Sequence, residues 1–143
     1  MLIRNILEES VRKFDEVKAV KWLNKKEIME RSYGELMENV VSTRKGLLAE
    51  GFEGKHIALI GTSSVEWMES YLGIITGCTT AVPLDAALPC EDLIDLLNRS
   101  DSVALFLSPK LRPYLDAFLE NCPKLQNCLL YTSDAADEAR SVD

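Results

Sequence analysis

The sequence predicts an α/β fold: an incomplete βαβ portion of a parallel sheet, preceded by a helix and a β-hairpin. Two observations support this prediction. After Lys55, short apolar runs alternate with segments of helical periodicity, and the run at residues 56–60 is continuous, as in strands buried on both faces. Twice, a Ser-x-x-Glu pattern marks the start of a helix. Strands that alternate with helices are joined by crossover connections, so we expect parallel strands with helices on both faces.

The region before Lys55 predicts a helix, a hairpin and a second helix. Residues 17–23 and 27–31 are the predicted strands, with a polar turn at residues 24–26. Ser32-x-x-Glu35 is a capping box, whose side chains accept hydrogen bonds from free N–H groups at the helix start. Gly51 suits the left-handed end of that helix. Apolar residues recur at helical spacing in both helices: Leu2, Ile3, Ile6, Leu7, Val11 and Phe14 in the first, and Leu36, Val40, Leu47 and Leu48 in the second.

Three strands and three helices are predicted after Lys55. The strands are residues 56–60, 79–84 and 103–107. Ser63-x-x-Glu66 is the second capping box, and Ser108 is the expected cap of the last helix, with Pro109 at its first position. The apolar residues of these helices are Trp67, Met68, Tyr71, Leu72 and Ile75 in the first, Leu93, Ile94, Leu96 and Leu97 in the second, and Leu111, Leu115, Phe118, Leu119 and Cys122 on the expected buried face of the third.

Composition indicates an ordinary globular protein, because 47% of the 143 residues are hydrophobic and 27% are charged. The net charge is −7, and the acidic balance that remains without the last sixteen residues argues mildly against nucleic-acid binding. Four cysteines without CxxC spacing and a single histidine argue against structural zinc and a disulfide framework. The sequence shows neither a signal peptide nor eighteen consecutive apolar residues, so we expect a cytoplasmic protein without a transmembrane segment.

The last sixteen residues, from Cys128 to Asp143, resemble the in-frame translation of a transposon-end adapter used to prepare sequencing libraries. We therefore expect two regions: a truncated N-terminal domain at residues 1–127 and a non-native tail at residues 128–143. The tail carries a net charge of −3, which leaves −4 for the rest of the chain. Its acidic composition predicts a solvated segment that contributes nothing to the fold.

Several motifs are weak candidates for chemistry. A strand followed by Gly61-Thr62-Ser63-Ser64 and a helix can bind phosphate, as flavin-phosphate loops do, but helix capping explains the same residues. Asp85 follows a strand, as a phospho-acceptor would, yet a solvated turn aspartate explains it better. His56 has no second metal ligand nearby, so we expect it to be half-buried and hydrogen-bonded. For the remaining candidates we expect structural roles, as small buried residues (Cys78 and Cys90) and as a core pair on one helix face (Trp67 and Tyr71).

A set of ordered motifs resembles the N-terminal part of the adenylate-forming superfamily, and within it the long-chain acyl-CoA synthetases. The resemblance spans nearly all of residues 2–125, although Lys55-His56 replaces the usual acidic pairing before the strand. The matching residues are Ser32 to Leu36, Gly46-Leu47, Gly51, Gly54 to Leu59, Glu66-Trp67, Gly73, Gly77, Ala81 to Asp85, Glu91, Ile94, Asn98 and Ser100.

The resemblance implies an enzyme that activates a fatty acid with ATP and Mg²⁺ as an acyl-adenylate and transfers the acyl group to coenzyme A. It places the phosphate-binding loop, the metal-binding acid and the mobile lysine downstream of this chain. The sequence therefore assigns no catalytic, cofactor-binding or metal residue here, and predicts an inactive fragment. Two alternatives stay open: a fragment of a peptide-synthetase-type adenylation domain, and a flavodoxin-like or receiver-like binding module.

Overall fold

The computed structural model describes residues 2–131 and 141–142. The acidic stretch of the expected tail, Asp134 to Arg140, lies outside the described residues. In chain order the elements are α1 (Ile3–Phe14), β1 (Lys18–Asn24), β2 (Glu27–Ser32), α2 (Tyr33–Ala49), β3 (His56–Ile60), α3 (Val65–Ile75), β4 (Thr80–Leu84), α4 (Cys90–Arg99), β5 (Ser102–Leu107), a 3₁₀ helix (Pro109–Tyr114), α5 (Leu115–Asn121), β6 (Asn127–Leu130) and β7 (Ser141–Val142).

The main sheet has the strand order β4-β3-β5-β6-β7. The pairs β3–β4, β3–β5 and β5–β6 are parallel, as the alternation of strands and helices predicts. Only β7 pairs antiparallel, with Cys128 opposite Val142. The predicted hairpin is also present: β1 and β2 pair antiparallel up to Asn24 and Glu27, and the two turn residues between them include Lys25 at φ 60°. The predicted fold class is therefore confirmed.

The core lies on both faces of the sheet, and β3 divides its side chains between them. Ala58 and Ile60 belong to one cluster, whereas Ile57 and Leu59 belong to the other, and all four are fully buried. This alternation is the period of two that a strand imposes. One face is covered by α4 and α5 through Leu93, Leu97, Phe118 and Cys122, and the other by α2 and α3 through Leu47 and Ile74.

The start of α2 agrees with the prediction. Ser32 Oγ accepts a hydrogen bond from the Glu35 backbone N–H at 3.1 Å, and a Glu35 carboxylate oxygen accepts one from the Ser32 N–H at 3.1 Å. Leu36 and Val40 are buried, as expected. Leu48 is different: it is 43% exposed, because it lies beside Leu47 on the helix and only Leu47 faces the sheet.

The predicted start of α3 is wrong by one residue. Ser64, not Ser63, is the N-cap, and its Oγ accepts a hydrogen bond from the Trp67 N–H at 3.0 Å. The apolar residues of this helix are only half-buried, although the rings of Trp67 and Tyr71 pack against the core as expected. The buried residues are Val65, Glu69, Ser70, Gly73 and Ile74. Gly73 explains part of this choice, because any larger side chain there would overlap Thr43 of α2.

The helix expected after Ser108 begins differently. Pro109–Tyr114 forms a 3₁₀ helix, the α-helix begins only at Leu115, and Ser108 makes no side-chain cap. Pro113 gives the physical reason, since it lacks the N–H that an α-helical hydrogen bond to Pro109 would need. The buried face of α5 agrees with the prediction at Phe118, and Cys122 is buried just after the helix.

Two terminal regions depart from expectation. The apolar stripe of α1 is largely exposed, and no residue of this helix is buried. At the other end, Cys128 and Leu130 are 0% and 3% exposed and form part of β6. The prediction that residues from 128 onward are solvated is therefore wrong at residues 128–130, because an apolar segment next to the edge of β5 extends the sheet and fills its core.

Candidate functional site

A cavity of about 280 Å³ lies between α2, α3 and the strands β5 and β6. Ligands of open α/β sheets bind at the carboxyl ends of the strands, and Leu130 and Tyr131 bring this cavity to that edge. Its apolar lining includes Leu47, Phe52, Phe106 and Leu129, and its carboxylates are Glu50, Glu66 and Glu69. The cavity is therefore an apolar cleft with acidic groups along it.

Glu69 is the most deeply buried carboxylate that lines this cavity. Its carboxylate accepts a hydrogen bond from Arg31 Nη1 at 2.5 Å and a second from Asn39 Nδ2 at 2.7 Å. The Glu69 side chain is only 6% exposed, and burial raises its pKa above the ordinary value, although both hydrogen bonds oppose that shift. Sequence reasoning missed Glu69, since its partners lie 38 and 30 residues away.

Glu66 and Tyr131 form a second polar group in the same cavity. The buried Oε1 of Glu66 has no hydrogen-bond partner among the described residues. Burial, with a smaller contribution from the charge of Glu66, raises the pKa of Tyr131 to about 12. The Tyr131 hydroxyl is likewise buried without a hydrogen-bond partner among the described residues, and it stays a neutral phenol at neutral pH.

The loop from Gly61 to Ser64 follows β3, where a phosphate-binding loop would stand. Ser64 is occupied as the cap of α3, and Glu66 in the first turn already places a negative charge at the positive end of the helix. Gly61 is packed closely against Tyr131 and Ser108. The loop therefore performs helix capping, as the sequence favours, and an anion there would meet a carboxylate.

The other candidate residues have structural surroundings. Asp85 is exposed, and its Oδ1 accepts a hydrogen bond from the Ala87 N–H at 2.9 Å, which makes it the expected turn aspartate. His56 Nδ1 lies 2.7 Å from the Ser100 carbonyl oxygen, so the predicted hydrogen bond is present, but His56 is exposed rather than half-buried. It is the first residue of β3 and the only exposed one of that strand.

The cysteines and the aromatic pair agree with expectation only in part. Cys78 is exposed, contrary to expectation, because it lies in the turn between α3 and β4 rather than in a strand. Cys90 is half-buried against the core of the α4 face, closer to the expectation. The rings of Trp67 and Tyr71 stack with centroids 5.2 Å apart and pack against the core of the α3 face, as predicted.

These residues do not fit a nucleotide or its metal ion. A triphosphate needs backbone N–H groups and cationic side chains around it, whereas the cavity carries three glutamates and its adjacent helix start is already capped. Within residues 2–131 and 141–142, no three His, Cys, Asp or Glu side chains are close enough to hold a metal ion. This cavity and the start of α3 therefore lack the cationic surroundings that a phosphate needs.

Comparison with known proteins decides the family. The model of the AMP-binding enzymes matches residues 7–143. The chain belongs to this family. Its members are adenylate-forming enzymes that use ATP, which sets aside the free-standing flavodoxin-like or receiver-like module. No curated protein sequence matches the chain.

Solved structures of adenylate-forming enzymes share the fold. A mutant coronafacic acid ligase from Pectobacterium brasiliense is 19% identical, with a TM-score of 0.84 over 96% of this chain and 27% of its own. The N-terminal domain of FACL13 from Mycobacterium tuberculosis is 18% identical, with a TM-score of 0.81 over 100% of this chain and 38% of its own. A fatty acyl CoA synthetase from Mycobacterium tuberculosis is 19% identical, with a TM-score of 0.80 over 99% of this chain and 30% of its own. The chain thus spans well under half the length of these structures.

Proposed function

We propose that this chain is the N-terminal part of an ATP-dependent acyl-CoA ligase. The parent enzyme would activate a fatty acid as an acyl-adenylate, with Mg²⁺ and release of pyrophosphate, and transfer the acyl group to the thiol of coenzyme A. The observation that supports this most strongly is the family match over residues 7–143. The motif order from Ser32 to Ser100, which resembles the long-chain synthetases, supports the fatty acid over other carboxylates.

The contribution of this chain to such an enzyme is structural. Its sheet is covered by helices on both faces, and its carboxyl edge carries helix caps and glutamates instead of a phosphate cradle. In-line displacement at a phosphate requires positioned cations and donors around the transferred group. We therefore propose that the 143-residue chain is inactive by itself, and that residues 128–143 are adapter-derived.

The cellular location follows the same proposal. No helix in the described part of the chain is long and apolar enough to cross a membrane. An enzyme that uses ATP and coenzyme A would work where those substrates are made, so we propose a cytoplasmic location.

The test begins with the DNA of the locus, read independently beyond codon 127. We expect the reads to diverge from this sequence near Asn127 and to encode a Ser/Thr/Gly-rich loop followed by a lysine. The product of that continuous gene, supplied with ATP, Mg²⁺ and coenzyme A, should release pyrophosphate only when a fatty acid is added. Amino acids in place of the fatty acid test the peptide-synthetase alternative.

The 143-residue chain is the matched control in the same assay. Fatty-acid-dependent pyrophosphate release by this chain above a buffer blank would contradict its inactivity. Independent reads that carry Tyr131 to Asp143 followed by a stop codon would contradict the adapter origin. A continuous gene product that acts on amino acids and not on fatty acids would contradict the acyl-CoA ligase.

A further inference from the structure

The hairpin of β1 and β2 lies outside both hydrophobic clusters of the molecule, since neither cluster contains a residue between 18 and 32. Leu23 and Ile28, paired across the hairpin, are 72% and 69% exposed. A two-stranded hairpin is at best marginally stable in water without further packing. Something other than the apolar core must therefore hold it in place.

Its base is attached by backbone hydrogen bonds. The Tyr33 N–H donates to the Val17 carbonyl oxygen at 3.0 Å, and the Gly34 N–H donates to the Asp15 carbonyl oxygen at 2.9 Å. These bonds fix both ends of the hairpin beside the start of α2. Both bonds are made by residues outside the strands, so neither holds residues 18–32 directly.

Arg31 supplies the attachment beyond the base. Within the part of the chain that the structure describes, its ion pair with Glu69 is the only one that joins the hairpin to another element. Both side chains are largely removed from water, at 15% and 6% exposure. The guanidinium also lies 5.3 Å from the ring centroid of Trp22 on the neighbouring strand, and Asn39 of α2 donates to the other oxygen of Glu69. One carboxylate thus connects β2, α2 and α3.

We propose that the Arg31–Glu69 pair is a conformational latch, which holds the hairpin against α2 and α3 and whose loss frees the hairpin while the parallel sheet stays folded. Removing one member of a buried pair leaves the other charge uncompensated, so the undocked hairpin, in which that charge is hydrated, becomes the favoured state. The sheet is unaffected because β3 is buried by α2 to α5 and receives nothing from the hairpin. Regions of different local stability open independently in this way.

The test is amide hydrogen exchange of the 143-residue chain, with residues 18–32 and 56–60 measured separately. In Glu69→Gln we expect the hairpin amides to exchange about tenfold faster or more, whereas the β3 amides keep their rates. Lys21→Gln is the matched control, since it breaks the exposed Lys21–Glu30 pair within the same hairpin and should change neither region. In a Trp67→Phe background, Trp22 is the remaining tryptophan, and its emission should shift to longer wavelength with Glu69→Gln.

The double variant Arg31→Met/Glu69→Gln distinguishes the effect of an unpaired buried charge from the effect of altered side-chain packing. Because it leaves no unpaired charge, we expect it to restore at least part of the hairpin protection that Glu69→Gln loses. Unchanged hairpin exchange in Glu69→Gln would overturn the inference, and so would equal losses in the hairpin and β3. If Glu69→Gln does not give folded protein, the whole fold depends on the pair and the inference is likewise overturned.

Discussion

Truncating the chain on either side of β6 tests how the C-terminal residues contribute to the fold. A chain of residues 1–131 keeps β6 and lacks residues 132–143, of which the structure describes only the β7 residues Ser141 and Val142 that pair with β6. A chain of residues 1–127 loses Cys128 and Leu130, which are 0% and 3% exposed in the core of the α4 face. We expect the first to keep nearly all of the free energy of unfolding and the second to lose most of it.

The magnitude follows from burial. Truncating a buried leucine to alanine typically costs about 2–5 kcal/mol, and losing the whole strand also removes Cys128 and the backbone hydrogen bonds to β5. The 1–127 chain should therefore be less stable than the 1–131 chain by about 5 kcal/mol or more, against a typical total of roughly 5–15 kcal/mol. Removing β7 should cost less than about 1 kcal/mol.

Urea unfolding followed by circular dichroism measures these differences. Leu130→Ala provides a milder variant in the intact chain, expected to cost about 3 kcal/mol, and Leu129→Ala is its matched control because Leu129 is only half-buried. Equal midpoints for the 1–127 and 1–131 chains would show that β6 contributes nothing to the core. In that case the burial argument for residues 128–130 fails.

Three further predictions concern single side chains. Ser64→Ala should lower the free energy of unfolding by about 1 kcal/mol and the same change at exposed Ser63 by almost nothing; equal effects would contradict the observed cap. The hydrogen bond from the Ser32 backbone holds the pKa of Glu35 below 4.5. The stabilisation by ionised Glu35 is therefore complete above pH 4.5 and is lost as the pH falls through the lowered pKa. If the free energy of unfolding of Glu35→Ala falls with acid as much as that of the unchanged chain, this prediction is wrong. Iodoacetamide should label exposed Cys78 before denaturation but not Cys128, whose pKa burial raises to about 12; mass spectrometry that finds both labelled at equal rates would contradict the fold.

The features that sequence predicts well are those whose causes are local. Both partners of the capping box of α2 lie within four residues, and the run from Ile57 to Ile60 is apolar without interruption. Such signals need no knowledge of the rest of the chain. The cap of α3 shows their limit, because Ser63 matches the Ser-x-x-Glu pattern but Ser64 makes the hydrogen bond. Two adjacent serines offer the same hydroxyl group, so the sequence pattern alone does not say which of them caps the helix.

The features that sequence misses depend on distant partners. Glu69 is a charged residue on a helix, and periodicity alone assigns it to the solvent. It is buried because Arg31 and Asn39 meet it there and because Gly73, one turn further along α3, lets α2 approach closely. The predicted face of α3, with Trp67 and Tyr71, is only half-buried for the same reason. The carboxylates of the candidate site could therefore not be placed from the sequence. The parallel direction of the strands around the site could be, because strands and helices alternate along the chain.

The burial of the C-terminal residues in the fold does not depend on whether they are encoded by the native gene. A parallel sheet that ends at β5 exposes unpaired backbone groups and one apolar flank, and any adjacent strand with apolar side chains on the correct face can pair there. Cys128 and Leu130 alternate with Leu129 in the required period of two, so they complete the α4 face of the core whatever their origin. An adapter-encoded segment and a native one with the same alternation would occupy the same place. The burial of residues 128–130 therefore predicts a loss of stability on truncation, and the DNA beyond codon 127 decides their origin.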